Sequence, residues 1–219
     1  MTRSVRFDWD KGTVEGLVDE ASGARARLVL GHGAGAGMSH PFMAAVAEKL
    51  AARGIEVVRF NFPYMQSGRK SPGPAAEAES CFTSVLESLA DGLPTFAGGK
   101  SYGGRMASHV AASGAPMEGL VFLGYPLHPP GRTDKIRDAH LESVPVPMLF
   151  VQGTKDTFAQ PDLLRRVLSR LPTATLMEVG GGDHSFKVGR RPASEVLDEV
   201  CDGVAAFADK ALGDGVRGA

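Results

Sequence analysis

The sequence predicts an α/β protein, a mostly parallel, doubly wound sheet with helices on both faces, and three observations carry this. Short, continuously apolar runs such as Leu28-Val29-Leu30 and Leu120-Val121-Phe122-Leu123 read as strands buried on both faces. Between such runs lie segments with helical spacing, for instance Phe82, Val85, Leu86 and Leu89 at i, i+3, i+4 and i+7. Gly-rich stretches and residues of reactive type follow directly after several strands, where sheets of this kind bind ligands. The 219 residues, 43% apolar and 22% charged, suit one globular domain. No repeat or long linker divides them, so a single domain over 1–212 is expected, with a flexible tail, Gly213 to Ala219.

Taken in order, residues 4–8 and 13–18 read as two short strands around the turn Asp10-Lys11-Gly12. Arg25 to Leu30 is an apolar strand running into Gly31-His32-Gly33-Ala34-Gly35-Ala36-Gly37. Phe42, Val46 and Leu50 mark a helix ending near Gly54, and Ile55 to Phe60 is a second buried strand. A Gly/Pro/Ser-rich loop runs to about Pro74, and the helix of Phe82 to Leu89 follows. Leu93 and Phe96 lead into Gly99-Lys100-Ser101-Tyr102-Gly103, and Met106 to Ser113 is helical. Gly119 to Tyr125 is a strand, then come a Pro-rich loop and a short helix-like segment over Arg132–Leu141. Pro147 to Gly153 is a strand, and Leu164, Val167, Leu168 and Leu171 mark a helix. Thr173 to Val179 is the last strand. The final helix turns Val196, Val200, Val204 and Phe207 inward.

Composition narrows the function classes. A formal net charge of −1 favours neither a nucleic acid nor an anionic membrane as partner. The N-terminus MTRSVRFDWDKG lacks the apolar core of a secretory signal, and no apolar run approaches membrane-spanning length. Cys81 and Cys201 are the only cysteines. They have no metal-ligand or disulfide-framework spacing and read as small buried hydrophobes. A cytoplasmic protein without metal or cofactor is expected. No helix face shows a surplus apolar stripe that would define an oligomer.

Four strand exits carry chemistry. Gly99-Lys100-Ser101-Tyr102-Gly103 is Gly-x-Ser-x-Gly in a strand–turn–helix context, the pattern of a nucleophile elbow; the glycines relieve crowding around a strained serine. Gln152-Gly153-Thr154-Lys155-Asp156 follows the strand ending at Val151. Gly181-Gly182-Asp183-His184-Ser185-Phe186 follows the last strand, and His32-Gly33-Ala34-Gly35 follows the first buried one. Ser101, Asp156 and His184 thus stand in the chain order of one known catalytic-triad topology. A serine hydroxyl needs a base to become a nucleophile. His184 fits that role, with Asp156 fixing its tautomer and stabilising the imidazolium. The backbone N–H groups of Ala34 and Tyr102 are the candidate oxyanion donors, assisted by the partial positive charge of the helix that starts after Ser101.

Simpler readings compete at each position. Asp156 can be the N-cap of the next helix, although Gln160-Pro161-Asp162 offers a later start. Asp183 reads as a loop residue, and Asp134 and Asp138 are weaker substitutes for the acid. His40, His109, His128 and His140 read as surface or internally satisfied histidines, and His32 as structural. Lys100 and Arg105 flank the elbow, as cations suited to an anionic substrate or as structural charges.

With these residues in view, the chain resembles the small single-domain α/β-hydrolases of bacteria. These are related to testis-expressed proteins and to a histone-acetyltransferase NSL-complex subunit of animals, with more distant similarity to dienelactone hydrolases. The matching stretches are Gly31 to Ala36 with Met38-Ser39-His40, Arg59 to Tyr64, Gly98 to Arg105, Gly124 to Gly131, Gln152 to Asp156 and Gly181 to Phe186. The resemblance implies an α/β-hydrolase fold with Ser101, Asp156 and His184 in the roles given above, and it brings no settled substrate. Dienelactone hydrolases have cysteine at the nucleophile, where this chain has Ser101. A hydrolytic dehalogenase would need aspartate there.

Residues 126–146 are too few for a multi-helix cap, so a capless, open site is expected, walled by Met38, Phe42, Tyr64, Met65, Tyr125, Leu127, Phe158 and Phe186. The leading functional reading is a serine hydrolase of a small-molecule ester or related acyl compound through an acyl-serine intermediate. The alternatives are a non-catalytic interaction module on the same fold, or an acyltransferase or perhydrolase using the same serine.

Overall fold

A hairpin of β1 (Thr2–Trp9) and β2 (Gly12–Asp19) opens the sheet. β2 pairs antiparallel with β4 (Ile55–Phe60). Beyond β4 the pairing is parallel throughout, through β3 (Ala26–Gly31), β5 (Thr95–Lys100), β6 (Leu120–Leu123), β7 (Met148–Gly153) and β8 (Ala174–Val179). The order across the sheet is β1-β2-β4-β3-β5-β6-β7-β8. This computed structural model describes residues 1–215, with side chains through residue 213.

The period of two along each strand divides the apolar side chains between two cores. In β3, Val29 faces one core while Leu28 and Leu30 face the other; in β5, Ala97 and Phe96 divide the same way. The first core is closed by α3 (Ala75–Glu87), α4 (Tyr102–Ala112) and α5 (Pro161–Leu168), the second by α1 (Pro41–Ala51) and α6 (Ala193–Gly215). Helix α1 starts where a Pro and a cap permit it: Pro41 occupies the first turn, and His40 Nδ1 accepts from the Phe42 N–H. Cys81 and Cys201 are free thiols, one in each core, and burial pushes both up to about 12.

Three expectations need correction. The segment over 132–141 is not a helix; its only regular piece is a 3₁₀ helix, Ala139–Ser143. Arg132 and Lys135 close turns onto Pro129 and Arg132 instead. The loop after β4 contains a short helix, α2 (Pro63–Gln66), initiated by Pro63. The tail expected from Gly213 is helical through Gly215, and its remainder lies outside the described residues. None of the described helices is long and apolar enough to cross a membrane.

All the parallel strands point the same way, so the exits of β3, β5, β7 and β8 open at one end of the sheet. That end gathers the four chemistry-bearing loops.

Candidate active site

Ser101 sits between β5 and α4 at φ 51°, ψ −110°, left-handed backbone that a non-glycine residue adopts at a cost of roughly 1–3 kcal/mol. Among the described non-glycine residues only Phe186 shares a positive φ, so the strain falls on the two loops that carry Ser101 and His184. The turn is held by Ser101 N–H donating to the Leu123 carbonyl (3.2 Å) and Arg105 N–H donating to the Ser101 carbonyl (3.1 Å). The flanking glycines are required by close approach. A Cβ on Gly103 would be driven into the Gly31 carbonyl, and one on Gly99 would lie 2.6 Å from Gly104 N.

The β3 exit supplies main chain beside the serine: a Cβ at Gly33 would lie 4.0 Å from Ser101 Cβ. The Ala34 and Tyr102 N–H groups, the expected oxyanion donors, hydrogen-bond to no other backbone group among the described residues. Side chains absent from the expected site hold this loop. Arg59 donates to Met38 O (2.7 Å) and forms a buried bidentate pair with Asp19 (2.8 and 3.0 Å). Asn61 Oδ1 accepts from Met38 N–H (3.0 Å). His32 Nδ1 donates to Gly33 O (2.9 Å), and its Nε2 accepts from Phe62 N–H (3.0 Å). Burial brings the His32 imidazole down to about 4, so it is neutral at pH 7, and the two bonds define its tautomer. His32 is a strut between two strand exits, as its structural reading requires.

Asp156 and His184, the candidate acid and base, meet across the β7 and β8 exits. Asp156 Oδ2 accepts from His184 Nδ1 (2.7 Å) and Gln152 Nε2 (2.6 Å), and Oδ1 accepts from Phe158 N–H (2.8 Å). Gln152 Oε1 in turn accepts from Tyr125 N–H (2.8 Å). Asp156 is therefore no helix cap; α5 starts later, with Gln160 as N-cap. Asp183 Oδ1 accepts from Ser185 N–H and Lys187 N–H (2.8 and 2.9 Å), the loop role expected of it. Asp134 and Asp138 are bound to Arg132 and Arg170. His128 repeats the His32 device: Nδ1 donates to Pro129 O (2.9 Å), and Nε2 accepts from Gln160 N–H (3.0 Å), tying the β6 exit to the acid loop. The Phe158 ring lies 4.3 Å from the His184 ring. No hydrogen bond joins Ser101 to His184; such contacts are often long without substrate and tighten when it binds.

Lys100 is the unexpected member. Its side chain reaches under this pair, so that a Cβ on Gly124 would meet Lys100 Nζ at 3.1 Å, His184 Nδ1 at 3.4 Å and Asp156 Oδ2 at 3.5 Å. The ammonium is buried without a hydrogen-bond partner and lies 5.8 Å from the Phe186 ring centre. Burial lowers it to about 8, against the opposing pull of Asp156 and Asp183.

Of the expected wall residues, Phe42 and Phe158 are partly exposed, and Phe42 stacks on Phe186 at 5.9 Å. Met38, Tyr64 and Phe186 are nearly covered. Tyr125 and Leu127 are corrected: both are 0% exposed and belong to the core, where Tyr125 packs on Phe122 and Phe150 and its hydroxyl donates to Arg137 O (2.7 Å). Arg59 and Gln152 lie in stretches the sequence singles out but have no role assigned there, and each carries one signal. Arg59 is a charge within an apolar strand, and Gln152 is a polar residue near the end of another. Among the described residues no cluster of three or more metal-ligating side chains occurs.

A family model described as an alpha/beta hydrolase domain matches residues 24–210. Solved structures of similar shape include an alpha-beta serine hydrolase homologue from Coxiella burnetii (16% identity, 94% of this chain and 96% of that one, TM-score 0.75). Another is a serine hydrolase without lid from Xanthomonas campestris (20%, 95% and 94%, TM-score 0.74). A third is a dienelactone hydrolase from Anabaena variabilis (18%, 94% and 95%, TM-score 0.74). At these identities the likeness establishes the fold, and the family match covers most of the chain: the protein belongs to the alpha/beta hydrolase family.

Proposed function

We propose that the protein is a serine hydrolase that cleaves an ester or related acyl bond through an acyl-Ser101 intermediate. The observation that carries this reading is the strained Ser101 turn standing at one end of the sheet with the 2.7 Å His184–Asp156 bond. In the reaction, His184 Nε2 takes the Ser101 Oγ proton as Oγ bonds to the substrate carbonyl carbon. The carbonyl oxygen becomes an oxyanion, received by the Ala34 and Tyr102 N–H groups. The C–O bond to the leaving group then breaks, and His184 returns the proton to that group. Water, deprotonated by the same imidazole, cleaves the acyl-serine bond and restores the enzyme. Asp156 stays ionised and holds the imidazole.

Two free buried cysteines suit a reducing compartment, and a cytoplasmic location is part of the proposal. So is kinship with the animal NSL-complex and testis-expressed proteins, which rests on the shared motif stretches.

Pre-steady-state hydrolysis of p-nitrophenyl acetate tests the mechanism: one equivalent of nitrophenolate is expected as a burst, lost in Ser101→Ala. A burst that survives the substitution would contradict it. No turnover on ester, thioester and amide panels by the folded protein would favour the interaction-module reading.

A further inference from the structure

The described residues contain five buried side-chain polar atoms without a hydrogen-bond partner, and four of them, Tyr64 Oη, Tyr102 Oη, Arg105 Nε and His109 Nε2, lie on or against α4. Tyr102, Arg105 and His109 occupy i, i+3 and i+7, one face of the helix that Ser101 caps. Side chains on a helix lean toward its N-terminus, so this face leans toward the nucleophile, with Arg105 about one helical turn (~5.4 Å) below it. The Tyr64 ring stands 6.1 Å from that of Tyr102, edge to face. His140 packs 4.1 Å from His109 and is bound to Ser108 Oγ (2.7 Å).

Among the described residues, Arg105 on this face makes no direct ion pair. Of the neighbouring carboxylates, Asp138 is paired with Arg170 (2.6 Å), while Glu79 accepts from His109 Nδ1 (2.8 Å), an imidazole that burial and then Arg105 hold below its ordinary value, so Glu79 keeps its charge. Arg137 lies close enough that the Arg105 charge, after burial, holds it below its ordinary range. Burial also pushes the Tyr102 hydroxyl up to about 12 and His140 down to about 4, so at pH 7 the hydroxyl keeps its proton and the imidazole is neutral. What the face offers is donors: a guanidinium and the Tyr102 O–H, with the Tyr64 O–H alongside, beside the Gly35 main chain. A buried donor left without an acceptor destabilises the fold, and the acceptor that best completes a guanidinium is a carboxylate.

We propose that Arg105 and Tyr102, with Tyr64 and Arg137 at the margin, seat a carboxylate carried by the acyl part of the substrate, so that the bond cleaved at Ser101 belongs to a half-ester of a short dicarboxylic acid. This deepens the serine-hydrolase reading and rests on it. The carboxylate belongs to the acyl part because the leaving group takes its proton from His184 and lies on the β7–β8 side. The flank formed by α4 and the β4 exit is left for the acyl chain.

The test compares p-nitrophenyl hemiglutarate with neutral p-nitrophenyl pentanoate, together with calorimetric binding of glutarate to the Ser101→Ala protein. The wild type is expected to favour the hemi-ester by at least about tenfold in kcat/KM, as charged hydrogen bonds are worth about 1.5–3 kcal/mol. Arg105→Met should abolish most of that ratio and the glutarate binding, Arg105→Lys should keep part of both, and circular dichroism confirms folding. Turnover of the neutral ester with no hemi-ester preference and no glutarate binding overturns the carboxylate seat while leaving the serine hydrolase standing. Glutarate binding lost in Arg105→Met, without turnover of either ester, supports the seat and counts against the hydrolase.

Discussion

The acid–base side of the site and the α4 face differ in how their buried polar groups are satisfied. Around Asp156, both carboxylate oxygens, both ends of the Gln152 amide and both nitrogens of His128 have partners within the chain. On or against α4, Arg105 Nε, Tyr102 Oη, Tyr64 Oη and His109 Nε2 have none. Apart from Lys100, internal pairing fixes the geometry on the acid–base side without a ligand, as the proposed catalysis requires. Under the carboxylate proposal, the open Arg105 and Tyr102 donors are completed by the ligand. The same end of one sheet thus carries a rigid half and a receptive half, and Ser101 stands between them.

The strongest way to break this division is Asp156→Asn. It keeps the side-chain volume but favours the wrong His184 tautomer, so kcat should fall about 10³–10⁴-fold. The new amide N–H also faces a donor where Asp156 accepted from Gln152 and Phe158, so about 1–3 kcal/mol of stability should go with it. A fall of less than tenfold, measured on the ester turned over by the wild type, would remove Asp156 from the acid role.

Next comes Lys100, the one unpartnered polar atom on the rigid side. Its folded value, about 8, lies below the ordinary 10.5 because of burial. Below pH 8 both folded and unfolded chains carry the proton, and the folded state bears the full cost of the buried charge. Between pH 8 and 10.5 the unfolded chain binds more protons, so stability rises with pH. Lys100→Met should therefore stabilise the fold at pH 7, by up to about 3 kcal/mol, and flatten that rise. Urea denaturation at pH 7 and pH 10 measures both, and destabilisation at pH 7 would show that the ammonium is held by attractions stronger than its burial cost.

Gln152→Met sharpens the comparison from the same side. It removes one Asp156 bond and orphans the Tyr125 N–H, so about 1–3 kcal/mol of stability should be lost, with a fall in kcat and little change in KM. A purely structural Gln152 would lower stability alone.

Tyr102→Phe on the receptive side keeps the backbone N–H. It should leave stability within about 1 kcal/mol, since the hydroxyl has no partner to lose. Its effect should appear as a several-fold loss on the hemi-ester that exceeds any loss on the neutral ester.

The legible parts of the sequence were those with a local signal. Buried strands announced themselves as apolar runs, helices by period, and the elbow by glycines that close packing against Gly31 demands. Ser101, Asp156 and His184 each follow a strand directly, so placing the strands placed them too. The supports were hidden because they act across long sequence separations: Arg59 reaches back to Asp19 and Met38, and His128 reaches forward to Gln160. Such pairings leave no periodic trace. Tyr125 and Leu127 were misplaced for a related reason, since a loop position says nothing of depth. The chain after β6 folds inward and buries both completely, and the helix expected over 132–141 gives way to turns among Pro129, Gly131 and Arg132.

Everything proposed for this site depends on Ser101 being a nucleophile activated by His184. Treatment with a fluorophosphonate, followed by mass-spectrometric localisation of the adduct, tests it most directly. A single adduct on Ser101 is expected, formed by the wild type and not by Ser101→Ala, and slowed by orders of magnitude in His184→Ala. Equal labelling of the Ser101→Ala protein, or an adduct on another residue, would contradict it.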